Sequence, residues 1–240
     1  MEFLGIWLAG VGLADVITGP ESGSWVRRLA GVAGGTITAL ILLLLVAAEA
    51  PTVVAMLGLT AASLCAWVLP RGSRRVGSAA LLAVVTGVAG LLVLGAELGT
   101  SSGEPLSRAL ASAAVPSISE RPYQEVVLIF GAGLWLVSSA NVVVRLILSA
   151  AGTPVAFAQT SIKGGRFIGP IERLMIFGFA LAGELTAAAL VVSAKSLLRW
   201  PEISVESRRA SAAIHDLTEY LVVGSLSSWF LALVPGALLA

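Results

Sequence analysis

Three features of this chain predict an all-α fold: a polytopic transmembrane helical bundle of about seven spans, with six as the alternative. It is 57% hydrophobic and only 12% charged over 240 residues, where a soluble domain carries about 25% charged residues. Its apolar residues gather in runs near the ~20 residues that a helix needs to cross a bilayer. Those runs are continuous, whereas a membrane β-barrel would show short alternating segments.

Length and charge gaps divide the chain into apolar segments at 3–18, 29–48, 51–69, 76–98, 123–149, 170–194 and 218–239. The first is short and holds Asp15 near its end, so it is tilted, interfacial or packed against neighbours. Its start, "MEFLGIWLAGVGLAD", carries Glu2 and no basic n-region. It is therefore expected to stay as a helix and not to leave as a signal peptide. The second and third segments meet at "AAEAPT", a tight hairpin in which Pro51 suits a first helical turn. "PRGSRR" at 70–75 forms a compact basic loop. Residues 99–122 are the longest polar stretch, and "EPLSRALASAA" within it is expected to form a short interfacial helix. Residues 200–217 form a polar loop before the last segment. With no repeat of fixed period and no soluble boundary, one transmembrane domain is expected to fill residues 1–240.

Charge orients the bundle weakly. With the N-terminus outside, nine Lys and Arg fall on the cytoplasmic side and six outside. Basic residues flank the sixth segment on both sides, and one simple crossing cannot place both flanks inside. Either the rule fails there or the sixth segment does not span cleanly.

The same segment carries the costliest residues. A carboxylate at mid-segment, Glu184, needs a partner, water or a proton at bilayer depth. On one continuous helix Arg173, Glu184 and Lys195 recur at intervals of eleven and share a stripe, about 16 Å apart along the axis. That spacing forbids direct pairing among them. In the fifth segment Ser138, Asn141 and Arg145 fall near one face. Asn141 could bond across a helix interface, and Arg145 could snorkel. At the start of the seventh, Asp216 or Thr218 is a candidate cap and Glu219 suits the positive helix end. "KGGRFIGPIERL" reads as a glycine-rich turn into a helix start, with Pro170 in its first turn and Glu172 at the dipole end. Lys163 and Arg166 beside exposed N–H groups would favour an anion there, such as a lipid phosphate. The plainer reading of this motif is headgroup anchoring of an ordinary loop. For Glu184, Asn141 and Arg145 it is interhelical pairing that fixes packing.

Asp15 and Glu49 are expected at the membrane interface, and His215 in a solvated loop. Small-residue runs such as "GVAGG" and "GFALAG" are expected to pack helices closely. One His and one Cys exclude a conventional His/Cys metal site or a bis-His haem within the chain. No P-loop, dinucleotide glycine pattern or "GxSxG" elbow is present. No cofactor is expected, and a net charge of +1 gives no argument for nucleic acid.

"KGGRFIGPIERLMIFGFALAGELTAAALVVSAKSLLRW" with the following "TEYLVVGSLSSW" resembles the C-terminal part of a family of bacterial multi-pass membrane proteins without an assigned activity. In that family a Gly-Arg turn leads to a Glu-Arg-Leu helix start, then an Ala-Lys-Ser helix end and a Glu-Tyr helix. The matching positions are Gly165, Arg166, Gly169, Glu172, Arg173, Lys195, Ser196, Glu219, Tyr220 and Gly224, within about 70 residues that set apart a C-terminal region over 163–240. Many members open with a helix holding a His and a Leu-Ala-Asp triplet; here "LAD" stands at 13–15 without the His. The resemblance implies a bacterial inner-membrane location and supplies no activity. Two functions follow as expectations. One is a transporter-like protein, or one that binds lipid or a small anion, with a polar site across the last three segments. The other is an accessory or assembly subunit of a larger membrane complex. An enzyme is the least supported class, since no catalytic spacing stands out. Membrane lipids are the expected partners, with a second copy or another membrane protein as a further partner.

Overall fold

The computed structural model describes residues 1–19, 24–70, 87, 102–112, 120–150, 165–206 and 211–240. Among them the fold is all-helical. The elements are α1 (Glu2–Thr18), α2 (Trp25–Leu45), α3 (Ala50–Val68), α4 (Glu104–Ala111), α5 (Tyr123–Val137), α6 (Ser139–Ala150), α7 (Gly165–Leu181), α8 (Leu185–Glu206) and α9 (Ser211–Leu238). They form two compact units, residues 1–138 and 139–240.

By length and composition, α2 and α3 each suffice to cross a membrane, and a third span arises if α5 and α6 count as one. The expected segment 76–98 lies outside the described residues, apart from Gly87. The bundle of about seven spans is thus reduced, among the described residues, to two or three qualifying helices.

In the first unit α1 is the central element, packed against α2, α3 and α5. Its glycines allow this. A Cβ on Gly5 would lie 2.6 Å from Leu128 Cα, and one on Gly12 the same distance from the Leu134 carbonyl carbon. Residues seven apart share a helix face, so α1 and α5 meet backbone to backbone along one stripe. Across another face Gly10 meets the Gly35 carbonyl of α2, which accounts for "GVAGG" as expected. Pro51 occupies the first turn of α3, and α4 forms within the expected interfacial helix.

The second unit departs further from the sequence reading. The expected fifth helix breaks at Ser138, whose φ of −129° and ψ of −49° interrupt the ladder. The expected sixth helix is two helices. Gly183 adopts φ +76°, a left-handed turn that glycine enters without a Cβ penalty. Around it Gly183 N–H donates to the Ala180 carbonyl at 3.0 Å and Glu184 N–H to that of Phe179 at 2.8 Å. These are the bonds of a helix C-terminus closing on itself. "GFALAG" therefore includes a turn: Gly183 makes the reversal, and Gly178 meets no neighbouring atom within 4 Å of a built Cβ.

Two helix starts also move. α7 runs from Gly165, so Gly165 and Arg166 belong to the helix and Pro170 lies inside it. Proline removes one helical donor and crowds the preceding turn, but neither stops this helix. α9 runs from Ser211, so Asp216 and Thr218 stand inside the helix and not at its start, and Glu219 is beyond the first turn.

Candidate functional site

Glu172 and Arg173 are neighbours on α7, and both are buried at 6% and 2% exposure. Successive side chains on a helix diverge by about 100°, so the pair reaches in two directions. Glu172 Oε2 accepts a charge-paired hydrogen bond from Lys195 Nζ of α8. Its Oε1 accepts from the Trp229 indole N–H of α9 at 2.8 Å. Arg173 donates through one terminal nitrogen to Asn141 Oδ1 of α6 at 2.6 Å, and through the other to Ser228 Oγ of α9 at 3.3 Å. One Glu-Arg dipeptide thus ties α6, α7, α8 and α9 together, and meets α9 at the adjacent residues Ser228 and Trp229.

Each link has a physical reason. A carboxylate in an apolar bundle is tolerated when both oxygens accept bonds and an opposite charge is near. The planar guanidinium suits a buried site because it can serve two partners at once. Trp229 is half-buried, and its N–H finds an acceptor in Glu172. Lys195 sends its ammonium inward from α8, with 16% of its side chain exposed.

Four of the expected site residues therefore converge: Asn141, Glu172, Arg173 and Lys195. Of the others that are described, Glu184 and Arg145 do not join them. Glu184 is exposed beside the α7–α8 turn and not at mid-helix. The stripe of Arg173, Glu184 and Lys195 required one continuous helix and is broken by the turn at 182–184. The barrier to direct pairing falls with it, because a reversed chain brings Lys195 back to α7. Arg145 is exposed on α6. Arg166 falls in the first turn of α7 and Glu219 in α9, with side chains outside the described residues, as is Lys163. With Glu172 two turns into α7 and buried, it no longer serves the helix dipole, and the expected anion cradle at "GPIER" is not a helix start.

Ser228 and Trp229 were not singled out in the sequence. The usable signal was the indole: a Trp inside an apolar helix must find an acceptor, and the carboxylates of neighbouring segments are the candidates. The same signal marks a second cluster, in the first unit. Trp67 of α3 donates its indole N–H to both carboxylate oxygens of Asp15 on α1 at 3.0 Å each. Asp15 is 4% exposed, so it is an interior residue of this unit and not an exposed helix end. Trp7 donates to Ser63 Oγ at 2.8 Å, and Ser63 in turn donates to the Thr60 carbonyl at 2.9 Å. Glu49 is exposed just before the start of α3. Among the described residues, no group of three or more His, Cys, Asp or Glu side chains could hold a metal.

An open cavity of about 390 Å³ lies between α6 and α9, lined by Ile147, Leu226, Ser227, Phe230 and Leu231. Its walls are almost entirely apolar and include none of the charged residues of the network. No family model, curated protein or solved structure matches the chain.

Proposed function

We propose that this chain is a multi-pass protein of the bacterial inner membrane that acts as an accessory or assembly subunit of a larger membrane complex. The observation that carries the reading is the closure of the charged network. Both oxygens of Glu172 and both terminal nitrogens of Arg173 are engaged by protein side chains from three other helices. A site that turns over a substrate keeps some of its polar valence for that substrate; here the bonds of Glu172 and Arg173 run between helices. Polar residues used in this way hold membrane helices in register. Exposed apolar residues on α2, such as Val26, Ile37 and Leu44, supply surface suited to lipid or to a partner helix.

The transporter-like or anion-binding reading draws on the same residues. Arg173 and Asn141 form the one part of the network that a small anion could enter, by displacing Ser228 from its longer 3.3 Å bond. Native mass spectrometry of the full chain released in mild detergent separates the two. The assembly reading expects a stoichiometric membrane-protein partner or repeated copies of the chain. A monomer carrying a small-molecule adduct that disappears in Arg173→Lys overturns it and favours binding.

A further inference from the structure

The α7–α8 turn has a consequence for how the second unit meets the membrane. Along one straight helix, Glu172 and Lys195 would be about 34 Å apart. Their side chains pair directly, so α8 runs back along α7. The register is symmetric about the turn: Glu172 is nine residues before the end of α7, and Lys195 ten after the start of α8. At 1.5 Å per residue the pair lies about 14–15 Å from the turn, which is half the ~30 Å thickness of a hydrocarbon core.

We propose that α7 and α8 form a two-pass membrane hairpin: both outer ends open on the cytoplasmic face, Glu184 reaches the opposite face, and Glu172, Arg173 and Lys195 lie near mid-bilayer. Four observations agree. The first arm gives about 25 Å over 17 residues, at the short end of a span, and the second about 33 Å over 22, of which Leu185–Leu197 is the apolar part. Apolar side chains stand exposed along both arms, at Ile171, Leu174 and Met175 on one and Leu185, Leu190 and Leu197 on the other. These suit lipid tails. The charges between the arms are turned inward and paired, as mid-bilayer charges must be. Glu184 and the turn around Gly183 are exposed. In a hairpin that stopped halfway, that carboxylate and the open turn carbonyls would face lipid tails, which backbone polar groups do not tolerate. At the far interface they face water.

The hairpin also resolves the charge conflict around this segment. Lys163 and Arg166 precede or open the first arm, while Arg199, Arg208 and Arg209 lie in or beyond the second. One crossing divides them between the two faces. A two-pass hairpin collects all five cations on one, and the positive-inside bias makes that face cytoplasmic. The same gathering fits anionic headgroups of the inner leaflet. This topology stands apart from the assembly reading, and either one survives the loss of the other.

The test is sidedness of single cysteines in the full chain. Cys65, the one native cysteine, is first replaced by Ala. Gly165→Cys, Glu206→Cys and Glu184→Cys are then labelled one at a time with a membrane-impermeant maleimide, in sealed right-side-out and inverted vesicles. The hairpin expects Gly165→Cys and Glu206→Cys to label in inverted vesicles, and Glu184→Cys in right-side-out ones. Labelling of Gly165→Cys and Glu206→Cys from opposite sides overturns it. So does labelling of Glu184→Cys from the cytoplasmic side, or protection from both. Ala182→Cys, exposed at the same turn, repeats the far-side measurement if Glu184→Cys does not accumulate.

Discussion

Replacing Lys195 by Met leaves Glu172 buried at 6% exposure with Trp229 as its remaining described neutral donor. Replacing Glu172 by Gln leaves the Lys195 ammonium directed at a neutral amide. In soluble interiors, stranding one member of a buried pair costs about 3–5 kcal/mol. Two features reduce that here. Lys195 is partly exposed and has a stem that can turn outward. Polar bonds between membrane helices average only about 0.6 kcal/mol, because the unfolded chain in a membrane also finds partners. Each single variant is therefore expected to lose about 2 kcal/mol. The double variant, Glu172→Gln with Lys195→Met, removes both charges together, keeps an amide oxygen for the Trp229 indole and strands no charge. It is expected to lose less than the singles combined, with a coupling of about 1–2 kcal/mol, where 1.4 kcal/mol is a tenfold change in the folding constant. The assay is reversible unfolding of the full chain in mixed micelles, titrated with sodium dodecyl sulfate and followed by circular dichroism. If the two single losses simply add, to within about 0.3–0.5 kcal/mol, the pair is not coupled and the closed network is wrong.

Two further predictions use the same assay. Asp15→Ala removes the acceptor of the buried Trp67 N–H and should cost about 1–3 kcal/mol, while Asp15→Asn keeps one acceptor oxygen and should cost less; equal losses would refute the indole–carboxylate bond as the cause. Gly183→Ala should lose about 1–2 kcal/mol from backbone strain at φ +76°, since a Cβ there meets no atom within 4 Å. Gly58→Ala, also open but inside α3, should gain up to about 1 kcal/mol from helix propensity. The same sign at both positions would refute the left-handed turn.

The helices were legible where composition alone decides them. α1 to α3 follow the apolar runs within a few residues, and Pro51 marks the start of α3 as its fixed φ requires. The sixth segment misled because hydropathy does not see direction. "MIFGFALAGELTAAALVV" is as apolar folded back as it is straight, and glycine at 183 is common in membrane helices without any turn. The warning was in the charges: basic residues on both flanks are incompatible with one crossing and compatible with two. Glu184 also mattered, because a carboxylate exposed at mid-bilayer is costlier than one at an interface. Proline and capping signals failed at α7 and α9 for a related reason. Pro170 and Thr218 suit a helix start, but such preferences are worth about a kilocalorie per mole, and packing of the second unit outweighs them. At the site, charge cost pointed to Arg173 and Lys195, the helix dipole to Glu172 and interhelical hydrogen bonding to Asn141. None of these signals reached Ser228 and Trp229, neutral residues in an apolar run whose partners lie on other helices.

The Glu-Arg dipeptide explains why this unit needs charge at all. Apolar contacts in lipid discriminate poorly between rotations of a helix, since lipid tails are as apolar as leucine. Turning α7 by one residue, about 100°, would carry Glu172 away from Lys195 and Trp229, and Arg173 away from Asn141 and Ser228. Both charges would then be buried without these partners, a penalty larger than the loss of apolar packing. Adjacent residues of opposite charge thus fix the rotation of α7. Their partners, spread over α6, α8 and α9, fix the positions of the other three helices along it. Such a pair adds little to stability beyond what an apolar pair of equal volume would give. Its contribution is a single register for α6, α7, α8 and α9.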